Sequence, residues 1–146
     1  MAGNKKLSKQ DLSKLLSEWS QEYELLTPSQ EDGTARFSQW DGQDTSFLDW
    51  YRNTTVSARA AFQPFAETMF RFQKGDDGYH LEATATSDQK RLIFGIRPCD
   101  ARALAIIDKI FKDGYQDPYY LARRDNTVLV GLGCTNPRES LSLIHI

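Results

Sequence analysis

Apolar positions recur along the chain with two different periods. Leu12, Leu15, Leu16, Trp19 and Tyr23 follow helical spacing. Ser8 stands three residues before Asp11, which resembles a capping box. Together they predict an amphipathic helix over residues 9–22, with the aromatics as core residues. "YELLTP" then reads as a short strand closed by Pro28, "EDG" as a turn and "TARFSQW" as a second strand. "DGQDTSFLDWYRNTT" shows no clear period; Phe47, Trp50 and Tyr51 are expected to share one short helical turn. "ETMFRFQ" and "YHLEATA" flank "KGDDG", the pattern of a hairpin. His80 falls in its second strand beside Glu82 and is read as a partly exposed strand residue.

The pattern sharpens after residue 90. Residues 92–96 are uniformly apolar and read as a buried strand. Asp100 is placed as the N-cap of the next helix. Leu104, Ile107, Ile110 and Phe111 form its buried face, and Gly114 ends it. Asp117 and Pro118 open a second short helix, "PYYLARR". "TVLVGLG" is a second buried strand, and Cys134 follows it. Two apolar strands joined by a helical crossover imply a parallel pair with a right-handed connection. The fold class is therefore α/β: an α+β N-terminal part followed by a βαβ unit.

This topology bears on the two cysteines. Cys99 follows one parallel strand and Cys134 the other, so both belong at the same carboxyl edge of the sheet. Neighbouring strands lie about 4.8 Å apart, and ligand sites of open α/β sheets form at this edge. Cys99 also stands at a helix mouth near Arg97 and Arg102, surroundings that favour thiolate. The plain alternative is that both are small buried hydrophobes. Two thiolates cannot complete a cluster, which usually takes four ligands, so others must come from elsewhere.

Composition adds exclusions. The 146 residues suffice for one domain. A net charge of −2 gives no electrostatic case for nucleic acid. No apolar run approaches the ~20 residues of a membrane span, and "MAGNKKLSKQ" is no signal peptide. A cytoplasmic location is expected, where Asn53-Thr54-Thr55 would go unglycosylated. The final "LSLIHI" is the translation of a DNA string resembling a transposon end used to tag fragments for sequencing. Residues 141–146 are accordingly expected to be an adapter scar, and residues 1–140 the N-terminal domain of a longer subunit. His145 falls inside the scar and is given no role.

"LIFGIRPCDARALAIIDKIF" followed by "DPYYLARRDNTVLVGLGCTNP" resembles the beta subunit of soluble NiFe hydrogenases (sulfhydrogenases), and equally the corresponding electron-transfer subunit of anaerobic sulfite reductase. The matching positions are Gly95, Cys99, Asp100, Asp117, Tyr119, Tyr120, Arg123, Arg124, Gly131 and Cys134. Upstream, "FQPFAETMFRF" is similar to a Pro-rich family segment through Pro64, Glu67, Met69 and Phe70. Arg59 stands where the family usually carries a lysine. The family's further cysteines, and its C-terminal ferredoxin-like part with two 4Fe-4S clusters, have no counterpart here. The resemblance implies an iron-sulfur subunit that relays electrons between a flavin subunit handling NAD(P)H and a catalytic subunit, without catalysing bond-making itself. It implies Cys99 and Cys134 as redox-site residues, possible partial ligands of an extra 4Fe-4S cluster. Asp100 could be a ligand or only a cap. Arg123 and Arg124 could meet an acidic partner surface or form a solvated helix end. Other readings stay open: a thiol switch through a Cys99–Cys134 disulfide, a weak small-anion module, or an inert fragment.

Overall fold

A computed structural model describes residues 6–42 and 45–135. The adapter-scar assignment at 141–146 lies outside these residues. Helix α1 (Lys9–Glu22) starts as expected: the Ser8 hydroxyl accepts from the Asp11 amide at 3.1 Å and donates to the Asp11 carboxylate at 2.5 Å. It buries Leu12 and Leu16.

β1 (Glu24–Glu31) and β2 (Thr34–Gln39) form a hairpin whose turn puts Asp32 and Gly33 at positive φ, the geometry an Asp-Gly hairpin turn requires. Pro28 does not close β1; it pairs opposite Phe37 in mid-strand. β1 pairs with its other neighbour, β5 (Arg91–Ile96), only at residues 24–26. The N–H that proline lacks therefore removes no bond on that side.

β5 lies parallel to β6 (Thr127–Gly131), and also parallel to β1. The mixed sheet has the order β2-β1-β5-β6, so the N-terminal hairpin and the βαβ unit share one sheet. The side chains alternate across it. Leu25, Leu92 and Phe94 pack with Leu12, Leu16, Trp40, Phe47 and Tyr51 on one face. Leu26, Ile93 and Ile96 pack with Ala58, Phe62, Leu104 and Tyr120 on the other. α1 and the short helix α2 (Phe47–Trp50) cover the first face. α3 (Pro98–Asp113), α4 (Pro118–Asp125) and a 3-10 turn (Ala58–Ala61) cover the second.

Two details of α3 differ from the sequence reading. The helix begins at Pro98, with Arg97 as N-cap residue, and Asp100 sits inside the first turn. Proline's fixed φ and missing N–H suit the first helical position, so it overrides the aspartate as the starting point. Ile110 is exposed, together with Ile106, while Leu104, Ile107 and Phe111 face the core.

β3 (Phe70–Gly75) and β4 (Gly78–Ala83) form a separate antiparallel hairpin, as expected. His80 is exposed there, 2.8 Å from Asp77. The base of this hairpin is tied to α4. The Tyr119 hydroxyl lies 3.3 Å from the Met69 carbonyl and 3.0 Å from the Thr84 carbonyl. Arg123 pairs with Glu67 and donates to the Phe62 carbonyl. Tyr119→Phe should cost about 1 kcal/mol, the worth of an ordinary hydrogen bond. Amide exchange at the hairpin base should quicken while β5 stays protected; unchanged exchange at residues 69–84 would contradict the tie.

Candidate functional site

The site is built by the exits of the two parallel strands. β5 leaves the sheet through a bulge: Phe94 pairs with Val130, but Ile96 pairs with Gly131, and Gly95 is the extra residue. Its φ of +92 lies in the region L side chains rarely adopt. The bulge reverses the alternation. In a regular strand without the bulge, Ile96 would share Phe94's face; instead it joins Ile93 on the α3 side. Arg97 is thereby turned to the opposite side, toward Tyr51.

Arg97 is buried, and its guanidinium serves four backbone carbonyls. Nε donates to Arg52 O at 2.7 Å, Nη2 to Tyr51 O at 2.5 Å, and Nη1 to Leu132 O at 3.2 Å and Gly133 O at 2.7 Å. It also lies over the Tyr51 ring, 4.5 Å from the centroid, a cation–π geometry. The Leu132 amide donates to Ile96 O at 2.9 Å. One side chain therefore joins three pieces: the start of α3 that carries Cys99, the strand exit that carries Cys134, and the end of α2.

The structure thus brings the segments of Cys99 and Cys134 to the same sheet edge, as the topology implied. Both cysteines are free and exposed, which overturns the reading of them as small buried hydrophobes. A cavity of about 440 Å³ opens here, bounded by Trp50, Tyr51, Arg52, Arg97 and, on the strand exit, Leu132, Gly133 and Thr135. Burial pushes the Tyr51 phenol up to about 12; Arg97 opposes that rise, and Asp100 and Cys99 add to it. The phenol is therefore neutral at neutral pH. Burial also raises the Asp100 carboxyl above its ordinary range, and its Oδ2 is buried without a hydrogen-bond partner among the described residues.

Arg123 and Arg124 do not form a solvated helix end. Arg124 Nε donates to both oxygens of Asp108 at 3.1 Å, and the Tyr120 hydroxyl donates to the same carboxylate at 2.6 Å. Arg123 makes the hairpin contacts described above. Their charges are used inside the chain, fastening α4 to α3 and to the loop before β3.

Sequence reasoning missed Tyr51, and with it the carbonyls of Tyr51 and Arg52 that receive Arg97. The available signal was the aromatic stretch without a period. A segment lacking its own pattern is held by tertiary contacts, and here Arg97 supplies them.

A comparison with characterised proteins finds sulfhydrogenase 2 subunit beta of Pyrococcus furiosus, 30% identical over 107 residues. The matched stretch is 73% of this chain but 30% of that protein, so the chain spans less than a third of the relative's length. The match supports the hydrogenase beta-subunit family. No family model matches the chain, and no solved structure does. The resemblance noted in the sequence implies iron-sulfur clusters, so the donor set bears on that expectation. A 4Fe-4S cluster is usually held by four thiolates. Among the described residues the thiols number two, and no group of three or more His, Cys, Asp or Glu residues could hold a metal. These residues alone do not fit a complete cluster. Also among them, no helix is long and apolar enough to cross a membrane.

Proposed function

We propose that this chain is the N-terminal part of an iron-sulfur electron-transfer subunit, with residues 1–140 forming its first domain. Such a subunit relays electrons between a flavin/NAD(P)H oxidoreductase subunit and a catalytic hydrogenase or sulfite reductase subunit, in the cytoplasm. The similarity to a sulfhydrogenase beta subunit carries the reading. The exposure of both thiols at one sheet edge agrees with it.

On this reading the 4Fe-4S clusters are bound mainly by parts of the polypeptide outside the described residues. Cys99 and Cys134 face those parts and contribute thiolates to a shared redox site. Asp100 sits one residue from Cys99, within the first turn of α3. Arg97 holds the two cysteine-bearing segments in register. Arg123 and Arg124 serve the fold and leave partner contacts to other residues.

The test is the source DNA read past codon 140 from a long, untagged amplicon. The expected frame continues into a cysteine-rich region with paired CxxCxxC-type runs. A frame that closes without further cysteines would remove the missing ligands and sink the reading.

A further inference from the structure

The β3–β4 hairpin is the least buried element of the fold. Every residue of β4 is exposed, and so is every residue of β3 except Gly75. Its register places Phe72 opposite Leu81, Phe70 opposite Ala83, and Lys74 opposite Tyr79. Directly opposed residues and residues two apart share a face. Phe70, Phe72, Leu81, Tyr79 and Ala83 therefore share one largely apolar face, with Lys74 at its turn end, while Arg71, Gln73, His80 and Glu82 take the other. Phe70, Phe72, Leu81 and Tyr79 are 57%, 74%, 69% and 74% exposed.

A two-stranded hairpin with nothing packed on it is marginal in water. Large aromatic side chains bury roughly 150–250 Å² each, so this face offers on the order of 500 Å², the size of patch that usually marks an interaction site. It is not a loose flap, because Tyr119, Arg123 and Glu67 fasten its base to the domain. One face is largely apolar and held in fixed orientation. That is the character of a permanently covered interface; transient contacts are more polar.

We propose that the Phe70–Phe72–Tyr79–Leu81 face is the seat on which a later part of the same polypeptide docks. This rests on the functional reading above. More than two thirds of the sulfhydrogenase relative's length lies outside the matched stretch, which supplies an occupant of sufficient size in the same chain. The docked segment presents apolar side chains to this face and leaves the Arg71–Glu82 side to solvent.

The experiment is hydrogen–deuterium exchange on two proteins: this 146-residue chain, and the longer product of the source gene expressed without other subunits. The expected result is exchange at residues 70–83 at least about tenfold slower in the longer product. Phe72→Lys with Leu81→Lys should abolish that protection, yet leave exchange in β5 unchanged in the short chain, where both side chains already meet solvent. Equal, fast exchange in both proteins would overturn the docking proposal and leave the functional reading standing. Protection that appears only when another subunit is added would overturn it in favour of a separate partner. Protection in the short chain alone, with a dimer mass by light scattering, would overturn it in favour of self-association. A source gene without further coding sequence would overturn the functional reading itself, and this proposal with it.

Discussion

Arg97→Ala is expected to destabilise the chain by about 3–5 kcal/mol, since it removes several hydrogen bonds to a charged group, each worth about 1.5–3 kcal/mol before water replaces part of the loss. The reason lies in what remains behind. Four carbonyls lose a charged donor at once, those of Tyr51, Arg52, Leu132 and Gly133; the bond to Tyr51 O is buried, and a buried acceptor left unpaired costs more than a missing contact. The Tyr51 ring loses its cation as well. Against a total stability of roughly 5–15 kcal/mol for an ordinary domain, this change threatens the fold. Arg97→Lys should recover only part of the loss, because an ammonium cannot reproduce the planar fork that spans four acceptors. Urea unfolding in the presence of a reductant measures the loss. A second readout separates the clamp from general packing: thiol-reagent labelling of Cys134 should change more than that of Cys99, since Arg97 bonds the peptides just before Cys134. A loss under about 1 kcal/mol, with unaltered labelling, would remove Arg97 from its assigned role.

Gly95→Ala should cost about 2–4 kcal/mol through two separable effects. The first is conformational, since φ at this position is +92. The second is steric: a Cβ here would stand 3.2 Å from Pro28 Cγ and 3.3 Å from Pro28 Cδ, and a proline ring cannot swing aside. Combining Gly95→Ala with Pro28→Ala should therefore return the steric part and leave the conformational part. Gly33→Ala isolates the latter, because Gly33 has φ +73 and nothing within 4 Å. Its cost should be the smaller, about 1 kcal/mol. Thermal unfolding of the three variants and the double variant forms the cycle. If Gly95→Ala proved no worse than Gly33→Ala, the bulge would not be the constraint that aims Arg97.

The parts of the fold written in local pattern were legible. The Ser8–Asp11 cap and the leucines after it defined α1, and the paired apolar strands around α3 gave the parallel βαβ unit and its carboxyl edge. What local pattern does not carry was missed. Gly95 appears as one small residue in an apolar run; that it is a bulge follows from its register against Val130 and Gly131. Arg97 looked like a charge beside a thiol, but its four acceptors come from segments 35 to 46 residues away. Arg123 and Arg124 looked like an exposed helix end because Asp108, Glu67 and Phe62 are distant in sequence. Asp100 was a reasonable cap by residue type, and Pro98 displaced it by geometry. The shared edge of Cys99 and Cys134 was readable because it depends only on strand direction.

The central claim is that this domain belongs to an iron-sulfur electron carrier to which Cys99 and Cys134 contribute. The direct measurement is iron and acid-labile sulfide content, with low-temperature EPR after dithionite reduction, on the full-length gene product purified without oxygen. The account predicts bound iron and sulfide with reduced-cluster signals, and one component altered or lost in Cys99→Ser and Cys134→Ser. A full-length protein that carries no iron or sulfide after anaerobic purification would contradict it.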